Sequence, residues 1–227
     1  MAGPVAGPLG VDWESLWAPY EEDVYAWIVA RIPPGERVLE IGAGDLRLAL
    51  RLARGGAWVI AVERQWALLA KGLEALRISP SRLRWEQPIS LEDGRLTVVW
   101  ADARTWPFPP VTSAILLMRH CSIFAEYVQR LRAAGCRRLF TNARWRMGVE
   151  MVDLGPAAPF EAAPVGWYAC RCGAIGFREG PPEAVDAATL ERVFEVEACP
   201  ACGPLPPAWA AGREAVDLSA EVEAPCA

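Results

Sequence analysis

The chain of 227 residues has one histidine, His120, and a single lysine, Lys71, among its 23 lysine and arginine residues. The scarcity of lysine beside many arginines reads as codon bias of a high-GC genome, not as function. No run of about 18 apolar residues is free of charge, which excludes a spanning helix of ordinary kind. The opening MAGPVAGPLG has no basic stretch and no continuous apolar stretch, so a secretory leader is not expected and a cytoplasmic protein is. Excess positive charge is lacking as well: the formal net charge is −5, which excludes nucleic-acid binding driven by overall charge alone. What the chain does have is 53% hydrophobic and 22% charged residues, enough to bury a core and too apolar for a disordered polymer. The length suits one domain with an appendage. The 7 cysteines are odd in number, and without a leader they read as thiols or metal ligands before disulfides.

Residues 13–32 place Trp17, Tyr20, Val24, Trp27, Ile28 and Ile32 at steps mostly of three and four, one face of a helix that Pro33, Pro34 and Gly35 stop. RVLEI (37–41) is a short buried strand feeding a glycine turn. Asp45 stands where it can cap the next helix, LRLALRLAR, closed by Gly55 and Gly56. Strands are expected at 57–62, 96–101, 113–118 and 138–141, and helices at 64–77 and 122–134. Strands alternating with helices imply parallel βαβ units and a doubly wound, mainly parallel α/β sheet. Residues 77–95 read as a loop with one short extra strand. Beyond residue 147 the rhythm breaks, and only WYAC and RVFEVEA look like strands. The chain divides accordingly into a core (1–146), a Pro/Ala-rich connection (147–166), a cysteine-bearing hairpin element (167–205) and a tail (206–227).

The first turn reads VLEIGAGD. Gly42 and Gly44 let the backbone turn sharply and approach a ligand at the carboxyl end of the first strand. Acids stand at three neighbouring strand ends: Glu40, Glu63 and Asp102. On these residues the stretch 15–145 resembles the class I S-adenosylmethionine-dependent methyltransferases. VLEIGAGD is similar to their first motif, AVER to the second and WADA to the third, and residues 106–141 to their fourth and fifth strands with the helix between. The resemblance implies a Rossmann-like sheet, S-adenosyl-L-methionine as cofactor and methyl transfer as reaction. It implies Glu40, Gly42, Ala43 and Gly44 at the methionine end, Glu63 with Arg64 beside it at the ribose hydroxyls, Asp102 at the adenine amino group and the Ala103 amide facing the ring. Two positions depart from the family: Leu46 stands where a third glycine is frequent, and Ser113 where an Asp commonly opens the fourth strand. The first bears on helix packing; the second leaves the catalytic group open. A dinucleotide is the competing cofactor, but it would need glycine in place of Arg47, and it leaves Glu40 and Asp102 unexplained. A glycine turn without any cofactor is the remaining alternative.

Methyl transfer needs an aligned acceptor and often a base. The fourth strand ends in Met118, Arg119, His120 and Cys121, and an imidazole at His120 suits the base; capping or packing is the alternative role. Cys121 lacks the Pro-Cys context of cytosine-ring methylases and reads as a buried thiol. Thr141, Asn142 and Arg144 end the fifth strand. Arg144 and Arg146 would suit an anion, although solvated surface charge is the simpler reading. Arg130, Arg132, Arg137 and Arg138 likewise read as solvated cations beside a helix end. Trp13, Trp17, Tyr20 and Tyr25 read mainly as core, and Trp66 or Trp106 as a neighbour of the adenine. A small-molecule acceptor is favoured, with nucleic acid or protein left open. No membrane partner is expected, and the oligomeric state is not legible.

Cys170-Arg171-Cys172-Gly173 and Cys199-Pro200-Ala201-Cys202-Gly203 are two short knuckles. Four thiolates suit tetrahedral Zn²⁺. CPxCG is the stronger half and CxCG the unusual one, and together they resemble a zinc ribbon. With no histidine nearby and all four positions filled by sulfur, the site is expected to be structural. An iron–sulfur site, a redox pair and unliganded thiols are the alternatives. The favoured arrangement makes these two runs the final antiparallel hairpin that the resemblance implies for the main sheet; an independent module is the other.

Overall fold

The computed structural model describes residues 22–119, 121–144 and 148–202. Helix α1 (Glu22–Val29) precedes β1 (Arg37–Ile41), α2 (Arg47–Arg54), β2 (Trp58–Glu63) and α3 (Trp66–Ala75). Then come β3 (Ile89–Leu91), β4 (Leu96–Trp100), β5 (Ser113–Leu116), α4 (Phe124–Ala133), β6 (Arg138–Thr141) and β7 (Glu150–Asp153). These strands form a 7-stranded sheet in the order β3-β4-β2-β1-β5-β6-β7. The five inner strands run parallel, and the short edges β3 and β7 run antiparallel. This is the doubly wound, Rossmann-like α/β architecture that the alternating pattern predicts, and β3 is the extra strand expected within 77–95.

Both faces of the sheet are covered, which is why β1 and β5 read as continuous apolar runs and do not alternate. Val38, Val59, Ala61 and Val98 pack with residues of α1, α2 and α3 on one face. Leu39, Ile41, Val62, Val99 and Leu116 pack with Phe124, Tyr127, Val128 and Leu131 of α4 on the other. The strand order reverses at β1, between β2 and β5. A crevice therefore opens at the carboxyl end of β1, the switch point at which doubly wound sheets receive ligands.

The cysteine runs do not complete this sheet. β8 (Gly166–Cys170), β9 (Ile175–Arg178), α5 (Ala187–Glu191) and β10 (Val193–Val196) form their own unit. Its 3-stranded sheet has the order β10-β8-β9, with β10 parallel to β8 and β9 antiparallel. The expected antiparallel hairpin is thereby corrected. WYAC and RVFEVEA pair side by side in parallel, joined through β9 and a helix that Asp186 and Thr189 cap reciprocally. The main sheet ends instead on one antiparallel strand inside the stretch expected to be a connection. That strand is only 4 residues long, with Met151 at 47% exposure and Val152 at 2%, too brief an alternation to stand out in the sequence.

Two further expectations are corrected. Asp45 is not the N-cap residue of α2, which is Leu46; its carboxylate accepts from the Arg47 amide at 3.4 Å and holds the Arg47 guanidinium. The arginines around α4 are not solvated as a group. Arg130 donates to the carbonyls of Ala103, Arg104 and Trp106 and lies over the Phe108 ring. Arg132 pairs with Glu197, and Arg138 with Glu36, while Arg137 is exposed as expected. Carbonyls and carboxylates brought near by the fold take up these guanidinium groups, which the helix pattern alone does not reveal. No helix among the described residues is long and apolar enough to cross a membrane.

Candidate functional site

The first turn is built by positive-φ backbone. Gly42 has φ 71°, Gly44 φ 54° and Leu46 φ 67°. The amides of Gly42 and Ala43 both donate to the Val62 carbonyl of β2, which swings the chain across the carboxyl end of the neighbouring strand. The Gly44 amide donates to Glu63 Oε2 at 2.9 Å, and the Gln65 amide to Glu63 Oε1 at 2.6 Å. One carboxylate thus ties the β1 turn to the β2 turn. A methyl group at the Gly44 Cβ position would meet nothing within 4 Å, so this face of the loop opens onto free space.

Glu40 lies beneath this loop, buried to 5% exposure, and its Oε2 has no hydrogen-bond partner. Burial pushes its carboxyl up to about 8, and repulsion from Glu63 and Asp45 adds to the shift. Burial raises Glu63 as well, against the amides of Gln65, Gly44 and Arg64. Asp102 sits past the end of β4. Burial raises it, but the Arg104 guanidinium and amide, and then Arg64, outweigh burial and hold it below the usual carboxylate range. Arg64 lies 3.7 Å from Asp102 and is half-buried. Ala43 and Ala103 are buried, and the turn 103–106 is pinned from beneath by Arg130. The structure therefore brings Glu40, Gly42, Ala43, Gly44 and Glu63 into one crevice, with Arg64, Asp102 and Ala103 on its β4 flank.

Other candidates separate. His120, Arg146, Trp13, Trp17 and Tyr20 lie outside the described residues. Thr141 is buried and donates to the Leu116 carbonyl, and Asn142 is buried beside it. Arg144 is neither an anion receptor nor a surface charge: its side chain is 0% exposed and is held by Glu150 and Glu195. Ser113 sits at the opposite, amino end of the sheet, where its hydroxyl joins the Glu36–Arg138 pair. Trp66 packs on Trp100, ring centroids 4.6 Å apart, and Trp106 packs into the core on the α4 face. Tyr25 is buried as core.

Sequence reasoning passed over three contributors. Trp100 Nε1 donates to the Arg64 carbonyl at 3.0 Å and fixes the β2 turn. Arg104 occupies Asp102. Gly72 of α3 lets the glycine turn approach: a Cβ there would lie 2.4 Å from the Asp45 carbonyl oxygen. A glycine inside a helical pattern was the available signal.

In the small unit the Sγ atoms of Cys170, Cys172, Cys199 and Cys202 all lie within 4.8 Å of one another. Cys170 and Cys202 are 3.4 Å apart, and Cys199 is 3.9 Å from both Cys172 and Cys202. A tetrahedron with Zn–S near about 2.3 Å has edges of about 3.8 Å, so the thiols fit the ion. The Cys199 amide points at Cys202 Sγ at 3.4 Å, a donor suited to a thiolate.

No family model and no curated protein sequence matches the chain. In fold it is similar to solved S-adenosylmethionine-dependent methyltransferases. One from Thiobacillus denitrificans, in complex with S-adenosyl-L-homocysteine, is 17% identical over 56% of this chain and 52% of that one, TM-score 0.41. Phosphoethanolamine N-methyltransferase 2 of Haemonchus contortus is 20% identical over 57% and 31%, TM-score 0.44. The 23S rRNA methyltransferase ErmE is 22% identical over 54% and 46%, TM-score 0.41. The chain thus spans between about a third and a half of the length of these structures. The likeness is one of architecture.

Proposed function

We propose that this chain is an S-adenosylmethionine-dependent methyltransferase with a structural zinc site, acting in a reducing, cytoplasmic setting. The observation that carries the reading is the crevice at the end of β1. There Gly44 leaves open space, and Glu40 buries a carboxylate oxygen with no partner directly beneath it. A buried, unpaired acceptor costs stability unless a ligand donates to it. The cationic amino group of the methionine moiety is such a donor. Glu63 retains lone pairs beyond those its backbone amides use and would accept from the ribose hydroxyls. Asp102, with Arg104 swung aside, would accept from the adenine amino group, and Ala103 would offer its amide at the ring edge. The bound cofactor supplies a methyl carbon on a sulfonium. The chain orients the acceptor against that carbon and excludes water, and His120, after β5, is the candidate for taking the acceptor's proton. Cys170, Cys172, Cys199 and Cys202 would hold Zn²⁺ with no open position, so the ion has no part in the transfer itself. Arg144 is taken up by Glu150 and Glu195 and is not offered to an anionic acceptor; a small-molecule acceptor is favoured, with nucleic acid or protein left open.

Calorimetry with S-adenosylhomocysteine and native mass spectrometry test this together. One ligand and one zinc ion per chain are expected. Glu63→Ala should weaken the ligand by a few-fold to roughly a hundredfold, since losing a buried acceptor costs about 1–3 kcal/mol. Unchanged affinity would refute the ribose assignment.

A further inference from the structure

We propose that the four-cysteine knuckle clamps the acceptor side of the crevice: through Phe124 and Arg144 it holds the segments that leave β5 and β6. This inference deepens the methyltransferase reading and rests on it.

The first contact is steric. Gly173 of the knuckle, at φ 92°, comes so near the main domain that a Cβ there would lie 3.0 Å from Phe124 Cδ1. Phe124 is the first residue of α4, and its amide donates to the Cys121 carbonyl at 3.3 Å. Cys121 and Phe124 are both buried in the core on the α4 face of the sheet. The second contact is ionic. Arg144 leaves the end of β6 and donates to Glu150 of β7, to Glu195 of β10 and to the Cys170 carbonyl of the knuckle. Its guanidinium carbon lies 5.9 Å from the Phe124 ring, so both contacts converge on one place. Arg171, between the two cysteines of the first knuckle, also pairs with Glu195. The cofactor-side carboxylates are wired otherwise: Gly44 and Gln65 donate to Glu63, and Arg104 and Arg64 pair with Asp102. Four sulfurs fixed by an ion would therefore stiffen the exits of β5 and β6, the acceptor side on the proposed reading, and leave the glycine turn of β1 alone. Arg144 is on this account a positioning residue.

The test uses the full chain, zinc-loaded and then stripped with a chelator, with thiol alkylation mapped by mass spectrometry. Cys121 and Cys136 are both buried, at 7% and 4% exposure, and Cys136 bonds to the Thr112 and Arg138 carbonyls at the opposite end of the sheet. Stripping should speed alkylation of Cys121 by about tenfold or more while Cys136 stays within about twofold, the pattern of local rather than global opening. Arg144→Met with zinc still bound should expose Cys121 in the same selective way, and Arg144→Lys should restore part of the protection. Affinity for S-adenosylhomocysteine should survive stripping. An unmoved Cys121, or equal acceleration at both thiols, overturns the proposal. Failure of the zinc-loaded protein to bind S-adenosylhomocysteine would instead refute the cofactor reading, with the Cys121 result still standing.

Discussion

Glu40 and Leu46 carry the tension of the crevice at the scale of single residues. Glu40 titrates near about 8 in the folded chain because burial, then Glu63 and Asp45, disfavour its charge. An unfolded chain ionises it near about 4.3. Between those values the native state keeps a proton that the unfolded state has released. The stability contributed by the protonated form is therefore whole at low pH and is lost as pH rises through the folded pKa. Urea unfolding of wild type and Glu40→Gln should diverge across that window, by at most about 4–5 kcal/mol for a shift of this size. Parallel curves would show that Glu40 is not buried as described. Leu46 is fully buried yet sits at φ 67°, a region costing a side-chain-bearing residue about 1–2 kcal/mol. Leu46→Ala and Leu46→Gly should both destabilise by loss of burial. Glycine should be the milder of the two by about 1 kcal/mol, since it alone relieves the strain. The residue identities at Glu40, Gly42, Gly44, Glu63 and Asp102 were legible from spacing. The strain at Leu46 was legible only as a departure from a family pattern.

Elements assemble the crevice by close approach. α3 admits the glycine turn only because Gly72 has no side chain. Gly72→Ala improves helix propensity by about 1 kcal/mol, and in an unconstrained helix it would stabilise. Here it should lower the melting temperature and weaken S-adenosylhomocysteine, because the new methyl must displace the Asp45 carbonyl. A rise in melting temperature would show that the turn is not held against α3. Strands and helices from β1 to β6 could be read from the sequence, since apolar runs bounded by glycine and proline announce them. β7 could not, because four residues with one exposed and one buried apolar side chain carry no usable period. The parallel pairing of β8 with β10 was hidden for a different reason: register between strands separated by a hairpin and a helix depends on tertiary packing, not on either strand's composition.

The whole molecule depends on a junction between two cores. The small one gathers Cys170, Cys199, Ala163 and Val196 with Phe160 and Tyr168, too few groups to stand alone without a metal or a neighbour. Arg144 joins it to the main sheet, and that side chain is fully buried while Glu150 and Glu195 are partly exposed. Removing the cation leaves Glu150 without its partner and Glu195 with Arg171 alone. Arg144→Met should therefore destabilise by about 3–5 kcal/mol, and adding Glu150→Gln and Glu195→Gln should recover much of it. Chemical denaturation of the three forms measures this. Recovery absent from the triple variant would assign the loss to packing alone.

The sequence by itself determined the alternation of strands and helices, the glycine turn with its three acids, and the two cysteine knuckles, because each is local: a handful of neighbouring residues sets the period, the turn or the ligand spacing. Tertiary structure alone decided that the knuckles build a separate sheet, that Arg130 turns inward while Arg132 and Arg138 find carboxylates, and that Arg144 links three strands across two cores. Those outcomes rest on carboxylates and carbonyls brought close by the fold from distant parts of the chain, and charge pairs of that kind leave no spacing for a reader of the sequence to find.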